Sequence, residues 1–172
     1  MNFVVTGDRN VGKTTLVKRV VSGLRERGLR PVGFYTDGGP DTLELVPIGP
    51  GEPLVFGSQS REFPGGVTIG RYSVNPGAIE TGLAASRAEG DVLVIDEIGK
   101  LERRGEGFAP LLSDLDPTAY RGTLFSVRNG VVPFVAGAFP DDAPLERLEV
   151  TESNREELPD RILDLLVGTW GR

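Results

Sequence analysis

The sequence predicts an α/β fold in which a mostly parallel central sheet is covered by helices on both faces, with an antiparallel hairpin at one edge. Short apolar runs alternate along the chain with stretches whose apolar residues recur every three or four positions. Several runs, including VLVI at residues 92–95, are continuously apolar, which is typical of strands buried on both faces. The length of 172 residues suits one hydrophobic core, so we expect a single domain over residues 1–172.

The first elements form a strand–helix–strand unit. An apolar run at residues 3–5 predicts the first strand, and helical spacing over residues 13–27 predicts a helix that ends at Gly28. The segment PVGFYT, residues 31–36, predicts the second strand. This unit places a strand-to-helix turn near the start of the chain.

A stretch rich in glycine and proline, residues 37–66, predicts a β-hairpin excursion. Two strand-like runs, LELVPI and PLVF, flank the turn PGEP within it. A disordered linker is the alternative, because glycine and proline without a period also mark low complexity. A strand at residues 67–74 follows, and Asn75-Pro76 then predicts the start of a helix that runs to Gly90.

The second half of the chain continues the alternation. A strand at residues 91–95 precedes a short helix expected at residues 105–114. Asp116-Pro117 indicates the start of another helix, with a strand at residues 123–127 as the alternative. The remaining elements that we expect are a strand beginning at Val131, a strand at residues 148–151 and a helix at residues 153–167.

The composition excludes several kinds of chemistry. Cysteine and histidine are both absent, so thiol nucleophiles, disulfides and imidazole bases are excluded, and any acid–base step has to use carboxylates. The net charge of -6 argues against a nucleic acid as the main partner. No apolar run approaches the roughly 18 residues of a membrane span, and MNFVVTG does not resemble a secretory signal, so we expect a cytoplasmic protein.

A phosphate-binding loop is predicted between the first strand and the first helix. GDRNVGKT, residues 7–14, fits the pattern G-x-x-x-x-G-K-[ST] in the position that the pattern requires. Its glycines let backbone N–H groups face a phosphate chain, and the helix N-terminus adds positive charge. We expect Lys13 to reach the β- and γ-phosphates and the Thr14 hydroxyl to bind Mg²⁺.

Two adjacent acids end the apolar strand at residues 91–95. An acid in this position holds Mg²⁺ directly or through water in phosphate-loop proteins, which assigns Asp96 to the metal. Side chains alternate along a strand, so Glu97 is expected to point elsewhere and to orient or deprotonate the attacking water. Lys100 is one of only three lysines in the chain, with Lys13 and Lys18, and is expected to partner either carboxylate or the phosphates.

GDRNVGKTTL and VIDEIGKLE together resemble the THEP-type family of P-loop nucleoside-triphosphatases, whose second motif reads DEIGK followed by an apolar residue and Glu. Further blocks of the resemblance are GFYTD, GRYSVN and VTESNREELPD, in the family's order over nearly the whole chain. The resemblance implies a RecA-like fold of three layers and magnesium-dependent hydrolysis of nucleoside triphosphates with loose base preference. It also implies a nucleotide site formed by Gly7, Asp8, Arg9, Asn10, Val11, Gly12, Lys13, Thr14, Thr15, Val92, Leu93, Val94, Ile95, Asp96, Glu97, Ile98, Gly99 and, less directly, Lys100 and Arg155.

Some positions depart from the family's pattern. Asn10 stands where the family usually has a glycine, which predicts a stiffer loop or an altered N–H contact. Residues 38–40, Gly-Gly-Pro, replace the acidic and arginine residues that usually follow GFYT. No arginine is clearly placed to stabilise the transition state; Arg155 and Arg103-Arg104 are the candidates, and without such an arginine slow turnover is expected.

Three functions remain open at this point. Hydrolysis of nucleoside triphosphates by a monomer with Mg²⁺ is the leading hypothesis. A kinase is the second, in which a hydroxyl of a nucleotide or small molecule replaces the water and residues 103–104 close as a lid. The third is a nucleotide-dependent switch that binds a protein or RNA, against which stand the acidic balance and the absence of a guanine-reading N-K-x-D motif.

Overall fold

The computed structural model describes residues 1–168 and forms one nine-stranded mixed sheet with helices on both faces. The strands are β1 (Asn2–Thr6), β2 (Pro31–Gly38), β3 (Thr42–Pro47), β4 (Leu54–Ser58), β5 (Thr68–Ile69), β6 (Tyr72–Val74), β7 (Val92–Ile98), β8 (Gly122–Val127) and β9 (Leu145–Glu149). The helices are α1 (Lys13–Glu26), α2 (Pro76–Ser86), α3 (Lys100–Arg103), α4 (Ala109–Ser113), α5 (Val132–Ala136) and α6 (Leu158–Gly168). The predicted α/β class is confirmed.

The strand order is β5-β6-β4-β3-β2-β7-β8-β1-β9. The five neighbouring strands β2, β7, β8, β1 and β9 are all parallel. The strands β3, β4, β6 and β5 extend the sheet beyond β2 by antiparallel pairing. Strand β8 therefore lies between β1, which leads into the predicted phosphate loop, and β7, which carries the two acids. The carboxyl ends of the parallel strands meet at one edge of the sheet, where open α/β sheets bind their ligands.

Each face of the sheet has its own apolar core. Helices α1 and α6 cover one face with side chains such as Leu16, Val20 and Ile162, all essentially inaccessible to solvent. The other face is covered by α2, α4 and α5, with Phe108 packed between Phe34 and Phe56. The sheet is thus buried on both sides, which is why its central strands contain continuous apolar runs such as Val92–Ile95.

The helix expected after Asp116-Pro117 was a wrong prediction. The side chain of Asp116 caps a single 3₁₀ turn at Pro117–Ala119, and the chain is extended again by Tyr120. Residues Gly122–Val127 form β8, the alternative that the sequence left open, and every one of them is buried between β1 and β7. In a strand that is buried on both faces, apolar residues can occur at any spacing. A helical spacing of apolar residues in such a segment therefore does not indicate a helix.

The strand expected at Val131 is a short helix, α5. Pro133 lies in its first turn, where the missing N–H costs nothing, whereas within a central strand it would remove a ladder hydrogen bond.

Other differences concern boundaries. The strand expected at residues 67–74 is the hairpin β5–β6, because Gly70 turns the chain with a φ of 58°. The helix expected at residues 105–114 is reduced to α4, the last strand begins at Leu145, and α6 begins at Leu158. No helix among residues 1–168 is both long and apolar enough to span a bilayer.

Candidate functional site

A cleft of about 880 Å³ opens at the carboxyl ends of the parallel strands, and we call it the large cleft. The phosphate loop forms one wall, and the end of β2 with the turn after it forms another. The residues that line it are Gly7, Asp8, Arg9, Asn10, Gly12, Lys13, Thr14, Thr15, Lys18, Thr36, Asp37, Gly38, Gly39, Pro40, Leu43, Tyr72, Glu97, Lys100, Arg128 and Asn129.

Three residues of the phosphate loop adopt positive φ angles, and two of them are glycines. Gly7 has φ 143°, and a Cβ there would lie 2.5 Å from the carbonyl oxygen of Val150, so only glycine fits. Asn10 has φ 62°, the left-handed conformation that asparagine tolerates better than most residues. Asn10 therefore adopts a backbone conformation that glycine would also accept, so the loop does not require a glycine at this position.

The side chain of Lys13 folds back over the phosphate loop. Its Nζ donates to the carbonyl oxygens of Gly7 at 2.7 Å and Asp8 at 2.8 Å, and the residue is 9% exposed. These two bonds hold the loop closed around the N-terminus of α1. The ammonium group thus lies where an anion bound by the loop would meet it.

Thr14 and Asp96 meet beneath the large cleft. The Thr14 hydroxyl donates to Asp96 Oδ2 at 2.9 Å, which joins the start of α1 to the end of β7 across β8. Thr36 donates to the same oxygen through its backbone N–H at 3.2 Å and its hydroxyl at 3.1 Å. Because the proton of Thr14 points at the carboxylate, the lone pairs of its oxygen are left for a cation in the cleft.

Asp96 is completely buried, and burial raises its pKa, with a further rise from the charge of Glu97. Its Oδ1 accepts no hydrogen bond from the residues that the structure describes. The Ser126 hydroxyl is close enough to lower the pKa of Asp96, although the two do not form a hydrogen bond of normal geometry. A cation near this oxygen would stabilise the ionised form of Asp96.

These residues fit a magnesium ion. Carboxylate and hydroxyl oxygens are hard ligands, and Mg²⁺ in phosphate-transfer sites takes only one or two of them from the protein, with water and phosphate oxygens completing the shell. No group of three or more acidic residues among residues 1–168 is close enough together to hold a metal by itself. The site therefore suits a metal that arrives with a phosphate ligand better than one held permanently.

Glu97 departs from strand geometry at the rim of the large cleft. Its φ is 63°, and the pairing of β7 with β8 shifts register between Ile95 and Ile98. A non-glycine residue in this conformation is strained, and such strain persists where the surrounding structure requires it. The side chain of Glu97 thereby faces the cleft while Asp96 remains buried, which is the separation of the two acids that the sequence predicted.

Arg128, which the sequence analysis missed, is the partner of Glu97. Its Nε lies 3.2 Å from Glu97 Oε2, at the residue that follows β8. Lys100, the predicted partner, lines the cleft, and its side chain forms no hydrogen bond or ion pair with residues 1–168. Its predicted contact with phosphates stays a prediction. Asn129, the next residue after Arg128, accepts from the Thr6 hydroxyl at 2.7 Å.

Arg155 and the pair Arg103-Arg104 lie outside the lining of the large cleft. Arg155 packs against the phosphate loop, with its Cδ 3.6 Å from where a Cβ on Gly12 would lie, and its Nε is 3.8 Å from a carboxylate oxygen of Glu156. Arg104 pairs with Glu106 at 3.2 Å. Arg128, by contrast, forms an ion pair with Glu97.

The apolar part of the acidic motif is structural. Val92, Leu93, Val94 and Ile95 are at most 2% exposed and do not line the cleft, so they position the acids from within the core. Glu102 is also buried, and burial raises its pKa.

Glu102 holds the turn after the acidic pair. It accepts from the backbone N–H of Gly99 at 2.8 Å and of Phe108 at 3.1 Å. Gly107, with φ 61°, leaves room for the carboxylate, since a Cβ there would lie 2.5 Å from Glu102 Oε1. Glu102, the last residue of VIDEIGKLE, therefore fixes the loop and does not line the large cleft.

Lys18 and Asp37 form an ion pair across the mouth of the large cleft. The Lys18 Nζ donates to Asp37 Oδ2 at 2.5 Å, and this bond is the largest cause of the lowered pKa of Asp37. The same ammonium lies 5.4 Å from the centre of the Tyr35 ring. The pair joins α1 to the end of β2 and closes one side of the cleft.

Comparison with known families gives one match over most of the chain. Residues 2–163 match the family model described as NTPase. A protein named nucleoside-triphosphatase THEP1 from Methanopyrus kandleri is 32% identical over 177 residues, which cover 95% of this chain and 93% of that protein. The protein of the same name from Caldivirga maquilingensis is 40% identical over 116 residues, covering 64% of this chain and 66% of that protein.

Two solved structures share the fold. The crystal structure of THEP1 from the hyperthermophile Aquifex aeolicus superposes with a TM-score of 0.76 at 27% identity and covers 96% of this chain and 99% of that one. The solution structure of a human cancer-related nucleoside triphosphatase gives a TM-score of 0.67 at 23% identity, with 99% of both chains covered. The second likeness supports the fold alone.

Proposed function

The chain belongs to the NTPase family, and from this premise we propose that it hydrolyses nucleoside 5'-triphosphates to the diphosphate and phosphate in a reaction that requires Mg²⁺. The observation that carries the proposal is the meeting of three groups at one cleft: the closed phosphate loop, the Thr14–Asp96 hydrogen bond and the strained Glu97 at the rim.

Binding is assigned to the phosphate loop. Its backbone N–H groups and the N-terminus of α1 attract the triphosphate, and the Lys13 ammonium adds a full positive charge beside it. This recognition acts on the phosphates, which every nucleoside triphosphate shares. We therefore propose a broad preference among bases.

The metal is assigned to Thr14 and Asp96. Mg²⁺ held there would neutralise charge that develops on the phosphate oxygens during transfer. Asp96 orients the Thr14 hydroxyl through their 2.9 Å hydrogen bond, so that the oxygen rather than the proton faces the cleft. Thr36 holds the same carboxylate oxygen in place from β2.

Proton transfer is assigned to Glu97. The chain has no histidine or cysteine, and Glu97 is an acid that lines the large cleft next to the carboxyl end of β7. Its carboxylate accepts the proton of the water that attacks the γ-phosphate. Arg128 holds this carboxylate through the 3.2 Å contact and brings positive charge to the edge of the cleft.

Phosphate release tests the proposal. Purified protein is incubated with ATP, GTP, CTP or UTP, without any acceptor, in Mg²⁺ or in EDTA. We expect release from all four substrates with Mg²⁺ and its loss in EDTA, because the metal would offset the negative charge of the phosphates, to which the carboxylate of Asp96 alone only adds. A protein that releases no phosphate from any of them without an acceptor is not a hydrolase, and equal rates in EDTA would remove the metal from the proposal.

Replacing Arg128 by alanine is expected to lower kcat by about tenfold to a hundredfold with little change in KM. The substitution removes the group that holds Glu97, and a small displacement of a catalytic group is costly in rate. Steady-state kinetics with ATP and Mg²⁺ check this. The matched control is Arg104→Ala, which removes an arginine that pairs with a different glutamate, Glu106, outside the cleft. An increase in KM alone would instead make Arg128 a phosphate contact.

A further inference from the structure

A second pocket, of about 280 Å³, opens beside the large cleft, and we call it the small pocket. It lies between the antiparallel extension of the sheet and the start of α3. Its apolar wall consists of Leu43, Phe56, Ile69, Tyr72, Val74 and Leu101. The Phe56 ring is held by stacking on Phe108 at 5.7 Å, so this wall has a fixed flat surface.

The rim of the small pocket is basic. Arg9, Arg71, Lys100 and Arg128 all line it. The first three form no side-chain hydrogen bond or ion pair with any residue in the range 1–168, and each is exposed. Two carboxylates also line the pocket, but Glu97 pairs with Arg128 and Glu102 accepts from two backbone N–H groups, so three cations that are unpaired within residues 1–168 remain at the opening. Such a rim attracts an anion, and arginine forks in particular match phosphate oxygens.

The small pocket is continuous with the site proposed for hydrolysis. Glu97, Lys100 and Arg128 line both spaces, whereas Arg71 lines only the small pocket. A ligand there would lie on the Glu97 side of the large cleft. Arg71 is therefore the residue that separates the two sites experimentally.

We propose that the small pocket binds a second ligand next to the triphosphate: a small molecule with an aromatic ring and a phosphate group. The ring packs against Phe56 and Tyr72, and the phosphate is bound by Arg71 and the neighbouring cations of the rim. A volume of about 280 Å³, near the lower end of the range of small-molecule sites, suits a ligand of this size. The inference depends on the proposed function only for the occupant of the neighbouring cleft.

Calorimetric titration tests this site. The protein is first saturated with Mg²⁺ and an ATP analogue that cannot be hydrolysed between its β- and γ-phosphates. Phenyl phosphate, AMP and UMP are then titrated in, with inorganic phosphate and uridine as the fragments that lack either the ring or the phosphate. We expect one further equivalent of at least one ring phosphate to bind, more tightly than either fragment. Arg71→Glu is expected to weaken this binding at least tenfold, because it reverses the charge that holds the phosphate.

Two further variants complete the experiment. Ile69→Trp fills the pocket from the short edge strand β5 and is expected to abolish binding, and thermal unfolding verifies that it folds. Arg25→Glu is the matched control, an exposed arginine on α1 away from both spaces, and is expected to bind as wild type.

The proposal is overturned if no ring phosphate binds to the saturated protein, if inorganic phosphate binds as tightly as the ring phosphates, or if Arg25→Glu loses as much affinity as Arg71→Glu. Phosphate release without the second ligand is measured on the same variants and is expected to be unchanged in Arg71→Glu. A wild-type protein that binds the ring phosphate but releases no phosphate from triphosphates would contradict the hydrolase proposal and leave the second site standing.

Discussion

Glu97→Gln is expected to lower phosphate release by about a hundredfold or more while nucleotide affinity stays close to that of the wild type. Glutamine has the shape of glutamate but cannot accept a proton from water at neutral pH. The residue lines the large cleft with a φ of 63°, a backbone conformation that the substitution does not change. The measurement is single-turnover phosphate release at saturating ATP and Mg²⁺, with affinity determined separately by titration of a non-hydrolysable analogue.

Glu106→Gln is the control for this variant. It makes the same chemical change in an acid that also pairs with an arginine, at 3.2 Å from Arg104, outside the large cleft. We expect wild-type release from it. Near-wild-type release from Glu97→Gln would remove this residue as the base, and Asp96 could not replace it, because Asp96 is fully buried and does not line the large cleft.

The phosphate loop and the acidic pair were predictable because their structure is encoded locally. Gly7 and Gly12 supply positive φ angles, and Lys13 and Thr14, which follow Gly12, start α1. The conformation of Asn10 was not predicted. The sequence suggested a stiffer loop or an altered N–H contact at this position, whereas its φ of 62° is one that asparagine tolerates well. Strand alternation predicted that Asp96 and Glu97 point in different directions. They do, but through the positive φ of Glu97 and a register shift, neither of which the sequence revealed. Their separate roles toward the metal and the water stay a prediction.

The partners of these acids were not predictable, because they come from strands that lie far away in the sequence. Arg128 follows β8, which was expected to be helical, and Thr36 lies within β2, 60 residues before Asp96. Had residues 123–127 been assigned as a strand, the parallel order would have brought Arg128 to the same edge as Glu97. The position of β8 between β1 and β7 is set by tertiary packing, which no local spacing encodes.

Lys13→Ala is expected to weaken nucleotide binding by about tenfold to a hundredfold, the range of a lost charge-assisted hydrogen bond. Phosphate release at saturating nucleotide is expected to fall as well. The reason is that Lys13 acts twice. Its ammonium holds the loop closed through the carbonyl oxygens of Gly7 and Asp8. In the proposed function it also supplies charge to the bound phosphates. Titration of a non-hydrolysable analogue with Mg²⁺ measures the first loss, and single-turnover release measures the second.

The control for Lys13→Ala is Arg19→Ala, on the same helix. Arg19 pairs with Glu156 at 3.0 Å on the surface and does not line the large cleft, so both measurements should match those of the wild type. A Lys13→Ala variant that lost affinity but kept full single-turnover release would confine the lysine to binding. The charge that stabilises the transition state would then have to come from the metal and Arg128, and the Arg128→Ala variant would show the larger loss in rate.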